Sequence, residues 1–370
     1  MKISFPHMSP VIVYKRLLEM FGHEVVVPPT PTQKTFDLGV KHSPEFACFP
    51  LKVILGSYIE AIEMGAQMIM TSGGHGPCRA GYYGELHSRI LKNLGYDVEI
   101  VIIDAIFPKF NDFIKKARKI TNGASIFKVA KVFKVVYNLS KAIDRIEKRI
   151  EKMRAYEVNE GDCDKVWDKI LKKFDKVNTI AEVEAIEKEA YGMLDNVPVV
   201  KVEEDSKIRV GVIGEIYVVM ESSVNMEIEK TLGKLGVETE RSQYLSDWIE
   251  HNIIPKFMRD KKIDNIIDEG KEFIEIEIGG HAVENVGYIK HFKERGFDGI
   301  IHLMPFGCLP ELVNQSIVPT IIEKFDLPVL TIPIDEQTGK ANNQTRIEAF
   351  VDLIKGKKEL RLNNGKSKIS

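Results

Sequence analysis

Two stretches of this 370-residue chain repeat one pattern and decide its fold: residues 63–78 read EMGAQMIMTSGGHGPC, and residues 294–308 read ERGFDGIIHLMPFGC. In each, a glycine follows a helical segment, a short apolar run comes next, and a loop rich in glycine or proline ends in a cysteine. Open α/β sheets bind their ligands at the carboxyl ends of their strands. The pattern therefore places Cys78 and Cys308 where such a ligand would lie.

On both sides of these stretches, short apolar segments alternate with helical patterns of roughly 10–15 residues. This alternation is typical of parallel sheets. The predicted strands are 2–5, 24–27, 67–71 and 98–103 in the first half, and 208–213, 237–240, 299–304 and 328–333 in the second. Each cysteine is followed at almost the same distance by an aspartate that ends the next strand: Cys78 to Asp104 is 26 residues, and Cys308 to Asp335 is 27. This agreement favours two related halves.

The segment between the halves has a different composition. Residues 110–194 are rich in Lys and Glu, contain no proline, and carry apolar residues at helical spacing. We therefore predict an α/β protein with two Rossmann/flavodoxin-like parallel-sheet domains, 1–109 and 198–370, and a helical module over 110–197 between them. Within the last domain, residues 248–273 are predicted to be helical.

The amino-acid composition limits the binding partners and the cellular compartment that can be expected for this protein. The chain has 52 basic and 54 acidic residues, so its net charge of −2 gives no general attraction to nucleic acid or to anionic lipid. No run of 18 apolar residues and no signal-peptide pattern is present, which predicts a cytoplasmic protein that partners neither nucleic acid nor a membrane. Four scattered cysteines do not form a disulfide framework, so metal ligation or catalysis is their expected special use.

Three of these cysteines lie in loops punctuated by proline: Cys48 in FACFP, Cys78 in GGHGPC, and Cys308 in MPFGCLP. Such loops can present a thiolate with backbone amides directed at it, which suggests a metal or cluster site. His75 is a weak catalytic candidate and a possible fourth ligand, although a histidine in such a loop more often bonds the backbone. Cys163 lies in the helical module and is expected to be an ordinary thiol.

Common nucleotide and hydrolase motifs are missing from the sequence. There is no Walker A loop, no GxGxxG after the first strand, no GxSxG elbow and no HExxH. The short match Gly211-Val212-Ile213-Gly214 does not indicate dinucleotide binding.

The cysteine loops carry a family likeness. Residues 48–52 (CFPLK), residues 76–82 (GPCRAGY) and residues 305–310 (PFGCLP) resemble the three cysteine motifs of the 2-hydroxyacyl-CoA dehydratase superfamily, particularly the branch of 2-hydroxyglutaryl-CoA-dehydratase-like proteins named CoA-protein activases. The likeness extends to residues 36–50 and to residues 334–350 (IDEQTGKANNQTRIEAF). It covers both α/β halves, and the helical middle matches only in type.

The resemblance implies a 4Fe–4S cluster held by Cys48, Cys78 and Cys308 between the two α/β domains, with the fourth iron open or bound by another ligand. In such dehydratases a separate ATP-dependent activase supplies one low-potential electron. This electron allows water to leave a 2-hydroxyacyl-CoA thioester through a radical. A homologous second subunit, or a homodimer, is a further implied partner. The chain has no actin-like ATPase motif, so it resembles the electron-accepting component.

Three hypotheses about function stay open at this point. The first is a radical iron–sulfur dehydratase (a lyase) or a reductase, acting on a CoA thioester or a similar small molecule. The second is a non-catalytic iron–sulfur electron carrier or accessory protein. The third is a zinc protein that uses the three thiols and His75.

Overall fold

The computed structural model describes residues 1–73, 76–103, 110–276 and 278–366. In the first part of the chain, four strands form one sheet in the order β2-β1-β3-β4, and every pairing is parallel. The strands are β1 (Lys2–Ser4), β2 (Glu24–Val25), β3 (Met68–Thr71) and β4 (Glu99–Ile102).

The second part of the chain repeats this arrangement. Its sheet has the order β6-β5-β7-β8, again entirely parallel. The strands are β5 (Ile208–Gly214), β6 (Val237–Arg241), β7 (Gly299–Pro305) and β8 (Val329–Ile334). Both sheets follow the first four positions of the flavodoxin-like order 2-1-3-4-5. The predicted α/β class with two parallel sheets is confirmed, and the common order supports the predicted relation between the halves.

The helices of the first unit are α1 (Val11–Met20), α2 (Gln33–His42), α3 (Phe49–Glu63) and α4 (Tyr83–Asn93). Helix α3 is buried on nearly all sides. Helices α2 and α3 approach closely because both carry a glycine at the crossing: a Cβ atom on Gly39 would lie 1.9 Å from the Lys52 carbonyl oxygen. At its start α3 also packs on the second unit, since Phe49 and Val53 belong to the core of the second sheet.

The helical module consists of α5 (Phe110–Ile120), α6 (Ile126–Met153), α7 (Asp162–Phe174) and α8 (Ile180–Asp195). Its core is formed by the apolar faces of α6, α7 and α8, and it includes Cys163. The same core takes in Val13 from α1 and Leu245 from the second unit, so the module packs on both α/β units. The domain boundaries at 109/110 and 197/198 stay a prediction, and residue 109 lies outside the described residues.

The second unit contains seven helices within the described residues: α9 (Ile216–Met220), α10 (Ile228–Lys234), α11 (Leu245–Asn252), α12 (Lys262–Gly270), α13 (Ala282–Glu294), α14 (Leu309–Phe325) and α15 (Lys340–Lys366). The continuous helical segment predicted over 248–273 is wrong, because α11 ends at Asn252 and α12 begins at Lys262. Pro255, which has no amide proton for a helical hydrogen bond, lies in this interruption.

The carboxyl ends of the two sheets face each other. His7, which follows β1, places Nδ1 3.0 Å from a carboxylate oxygen of Glu221, which follows α9. The Tyr217 hydroxyl donates to the His7 carbonyl oxygen at 2.9 Å. Buried polar contacts therefore join the segments that follow β1 and β5. None of the helices in the described residues combines the length and apolar character needed to span a lipid bilayer.

Candidate functional site

Cys48 and Cys308 occupy equivalent positions in the two halves. Each is the N-cap residue of a helix, Cys48 of α3 and Cys308 of α14. Each is followed two residues later by proline, Pro50 and Pro310, which fits the first turn of a helix because its backbone N–H would have no partner there. Both thiols therefore lie at the positive end of a helix dipole, where negative charge is stabilised.

The loops that carry these two cysteines touch. The Phe49 amide donates a hydrogen bond to the carbonyl oxygen of Phe306 at 3.3 Å. Gly307, in the left-handed region with φ +73°, lies so close that a Cβ atom there would be 3.6 Å from Cα of Cys48. The structure thus brings the Cys48 and Cys308 loops together across the two units.

The third loop is joined to the other two through Arg79. Its guanidinium Nη1 donates to the Phe46 carbonyl oxygen at 2.7 Å and to the Gly307 carbonyl oxygen at 3.2 Å. Cys78 immediately precedes Arg79 and caps the short 3-10 helix Arg79–Tyr82. One side chain therefore bridges the two other cysteine loops from the residue next to Cys78.

The Cys78 loop also rests on the second unit. Gly279 has φ +86°, and a Cβ atom there would lie 2.6 Å from Cγ of Pro77 and 2.9 Å from the Cys78 amide nitrogen. Its neighbour Gly280 approaches Pro310 in the same manner, with a Cβ distance of 2.8 Å. These two glycines allow backbone from the second unit to pass between the Cys78 and Cys308 loops.

Two polar side chains lie among the thiols, and sequence reasoning missed both. The Tyr83 hydroxyl lies 2.6 Å from Sγ of Cys48. Glu215, the N-cap residue of α9, accepts hydrogen bonds from the Tyr217 and Val218 amides at 3.0 and 3.2 Å. Glu215 directly follows β5, so the rule that ligands bind at strand carboxyl ends could have found it. Tyr83 carries no such signal in the sequence.

Burial governs the electrostatics of this cluster. It raises the pKa of the Cys48 thiol, against the opposing influence of the Tyr83 hydroxyl and the Leu51 amide. It also raises the pKa of Cys308, and the charges of Glu215 and Glu311 add to this effect. The pKa of Glu215 rises to about 7, again mainly through burial. Burial therefore outweighs the helix dipoles and disfavours the ionised forms of these groups, and a bound cation would shift the balance toward the thiolates.

Beneath Cys308 a fully buried hydrogen-bond network fixes the start of α14. The Glu311 carboxylate lies 2.7 Å from Nε2 of His302 and accepts from the amides of Asn285 (3.0 Å) and Asn314 (3.0 Å). Asn285 also bonds both backbone groups of Gly214, the residue before Glu215. The network holds β5, β7, α13 and α14 in one arrangement around the site.

The outer side of the cluster is apolar and open to solvent. Phe46, Phe306 and Leu309 are 77%, 55% and 54% exposed, and they flank Cys48 and Cys308 along the chain. Cys78 is partly exposed, whereas Cys48 and Cys308 are buried. The thiols thus lie just below an exposed apolar rim formed by Phe46, Phe306 and Leu309.

The remaining candidates fall elsewhere. Cys163 is buried in the helical module, and burial raises its pKa to about 12. Lys52, the last residue of the CFPLK motif, pairs with Glu336 at 2.8 Å. His75 lies outside the described residues. Among the residues that are described, no group of three or more His, Cys, Asp or Glu side chains is arranged to hold a metal ion.

The sequence was compared with models of known protein families. A family model described as "2-hydroxyglutaryl-CoA dehydratase, D-component" matches residues 109–354, which is more than half of the chain. The matched region contains the helical module and Cys308, and it leaves Cys48 and Cys78 outside. No curated protein matched the sequence.

Proposed function

Because the chain belongs to the family of the 2-hydroxyglutaryl-CoA dehydratase D-component, we propose that it is an iron–sulfur component that removes water from a 2-hydroxyacyl-CoA thioester. In this proposal Cys48, Cys78 and Cys308 hold a 4Fe–4S cluster. The family assignment supports a dehydratase-like component. The cluster, its ligands and the reaction on a thioester are the proposed part.

The observation that carries the proposal is the meeting of three cysteine loops from two separate units. The Phe49–Phe306 hydrogen bond joins two of these loops, and Arg79 bridges the same two from the third. In a cubane cluster each cysteine binds a different iron, so its thiols surround a volume and do not converge on one point. The three cysteine loops are neighbours, but their thiols are not arranged around one metal ion. This arrangement is compatible with such a cluster.

The chemistry of the surroundings also fits an iron–sulfur cluster. A bound cluster would supply a low-potential one-electron centre with Lewis-acidic iron. The helix N-termini at Cys48 and Cys308 favour thiolate ligands, and the Tyr83 hydroxyl can donate to Sγ of Cys48. The buried Glu311 network keeps the α14 terminus rigid, so the ligand positions do not depend on the cluster alone.

Proteins of this family work with an activase and with a second component. We propose the same for this chain: an ATP-dependent activase donates the electron, and a homologous subunit or a second copy completes the enzyme. The exposed rim of Phe46, Phe306 and Leu309 supports a protein contact close to the thiols, because large apolar side chains clustered at a surface often mark an interface. A short distance between protein surface and cluster also favours electron transfer.

A catalytic role is favoured over that of an electron carrier by a cavity of about 490 Å³ that Pro77, next to Cys78, helps to line. A carrier has no need of a small-molecule site. The proposal is tested with reconstituted, dithionite-reduced protein to which a 2-hydroxyacyl-CoA is added under anaerobic conditions. A change in the electron paramagnetic resonance spectrum that free CoA does not cause is the expected result. An unchanged spectrum with every thioester tried would favour the carrier.

A further inference from the structure

The cavity beside the Cys78 loop has the position and size of a substrate site. It lies between α11, α12, α13 and residues 274–276 and 278–281, and its volume is about 490 Å³. Small-molecule sites in proteins commonly measure roughly 300–1,000 Å³. Since Pro77 forms part of the wall, the cavity ends one residue from a proposed cluster ligand. Whatever binds there lies next to the cysteine loops.

The walls of the cavity are mostly apolar. They are formed by Trp248, Ile263, Ile267, Ile274, Ile278 and Val283. Ile263 and Ile274 also belong to the buried core beneath the cavity, so this wall is rigid. An aliphatic or aromatic group of a ligand would gain free energy by leaving water for this surface.

The polar groups of the cavity carry mainly negative charge. Asp247, Glu275 and Glu284 contribute carboxyl groups. Among the described lining residues Lys271 is the one Lys or Arg, and its ammonium group pairs with Asp268 at 2.8 Å in an exposed position. Burial lowers the pKa of the two lining histidines, His251 and His281, which favours their neutral form. Carboxyl groups therefore outnumber the described lysine and arginine side chains of the lining by three to one.

The pKa of Glu284 shows that a negative charge is unfavourable in the wall of this cavity. Burial raises its pKa to about 8, and the charge of Asp247 adds to the shift. The neutral amide of Gln243 is its hydrogen-bond donor, at 3.3 Å. If the protein's own carboxyl group resists ionisation here, a carboxylate on a ligand would meet the same desolvation and the same repulsion.

We infer that this cavity binds the acyl chain of the thioester substrate, and that its apolar walls and the carboxylate of Asp247 select acyl chains that end in an uncharged group. Chains that end in a carboxylate, including the hydroxyglutaryl group in the name of the matched family, are excluded. The inference rests on the proposed function, because it takes the ligand to be a CoA thioester. Asp247 is thus a specificity-determining residue.

Binding can be measured without turnover through Trp248, which lines the cavity. The chain has two tryptophans, and the Trp167→Phe variant leaves Trp248 as the sole emitter. The two probes are hexanoyl-CoA and adipoyl-CoA, which have the same chain length and differ in a terminal carboxylate. Both lack the 2-hydroxyl group. Hexanoyl-CoA should bind at least about tenfold more tightly, a difference of about 1.4 kcal/mol.

Two variants assign this preference to the cavity. Asp247→Asn removes a negative charge and keeps the size, so it should narrow the difference in affinity between the two thioesters, whereas Glu284→Gln replaces a carboxyl group that is mostly protonated near pH 7 and should change this difference little. Ile267→Phe fills the cavity and should weaken hexanoyl-CoA binding, whereas Ile126→Phe, on an exposed position of the helical module, should leave it unchanged. Far-ultraviolet circular dichroism verifies that each variant is folded.

The results separate this inference from the proposed function. Equal affinities, or tighter binding of adipoyl-CoA, would overturn the selectivity and leave thioester binding intact. If neither thioester binds, the same titration with hexanamide and adipamic acid follows. A preference for hexanamide would then support the cavity's selectivity and contradict thioester binding, whereas the absence of any response would overturn the inference itself.

Discussion

The amide of Phe49 donates a hydrogen bond to the carbonyl oxygen of Phe306 at 3.3 Å, which ties the residue after Cys48 to the Cys308 loop. These two residues are 257 positions apart (306 − 49) and belong to different α/β units. The contact makes the cysteine site a property of the assembled molecule. Neither α/β unit contains the site by itself.

Removal of single thiols tests the ligand assignment. Cys78→Ala and Cys308→Ala should abolish cluster incorporation while most of the helical circular dichroism remains, because these cysteines cap helices and lie outside the main apolar cores. Cys163→Ala is the matched control, since Cys163 is buried in the helical module. Its iron content should equal that of the unchanged protein. Loss of the cluster in Cys163→Ala together with its retention in Cys48→Ala would refute the assignment.

Loss of the Tyr83 hydroxyl should lower the reduction potential. In the Tyr83→Phe variant Sγ of Cys48 loses a contact at 2.6 Å, and hydrogen bonds to cluster sulfurs favour the reduced, more negative state. A hydrogen bond of about 1 kcal/mol corresponds to roughly 40 mV for one electron. A redox titration followed by electron paramagnetic resonance measures the change. Tyr82→Phe, at an exposed neighbour, should leave the potential unaltered.

Gly279→Ala should destabilise the protein and displace the Cys78 loop. The effect should be larger than the positive φ of Gly279 alone would cause. Gly279 and Gly95 have nearly the same φ, +86° and +84°, but a Cβ atom meets Pro77 only at Gly279. Gly95→Ala should reduce the free energy of unfolding by about 1 kcal/mol. Gly279→Ala should reduce it further and also lower the iron content. Equal stabilities and equal iron contents would mean that this contact does not position Cys78.

Asp144 should make stability depend on pH. This buried residue of α6 accepts the Ser246 amide at 2.8 Å, and burial raises its pKa to about 7. Its carboxyl group therefore binds more protons in the folded state between about pH 4 and pH 7. The free energy of unfolding should fall as pH rises through this window, by about 1.4 kcal/mol for each unit of pKa difference.

Asp144→Asn keeps the acceptor and removes the titration. Urea unfolding should find this variant close to the unchanged protein at pH 4 and more stable than it at pH 8. Asp352→Asn, at an exposed position of α15, is the control and should follow the unchanged protein at both values. A variant that loses stability at pH 8 would mean that Asp144 is ionised and stabilising in the folded state.

Periodicity in the sequence was sufficient for the sheets, because strands such as β3 (Met68–Thr71) and β7 (Gly299–Pro305) are short apolar runs beside a glycine. It was insufficient for α2 (Gln33–His42), whose helical pattern is short and which is held against α3 by the close contact between Gly39 and Lys52. The break between α11 and α12 was also missed. Charged residues with helical spacing continue through it, although Pro255 interrupts the hydrogen bonding.

The three cysteine loops of the site could be predicted from their prolines and glycines, because each loop can be recognised from its own short segment of sequence. The bridge from Arg79 to Phe46 and Gly307 could not, because it depends on how the two units pack. The same is true of Tyr83 and Glu215. Each is an ordinary residue of its own segment, and only the folded chain places it among the thiols.

The central claim is that this chain holds an iron–sulfur cluster, and metal analysis of anaerobically purified protein tests it most directly. Iron, sulfide and zinc are measured on the same sample, and an electron paramagnetic resonance spectrum is recorded after reduction with dithionite. The account predicts about four irons and four sulfides per chain with a reduced-cluster signal. Zinc in place of iron, or no metal after proper reconstitution, would contradict it.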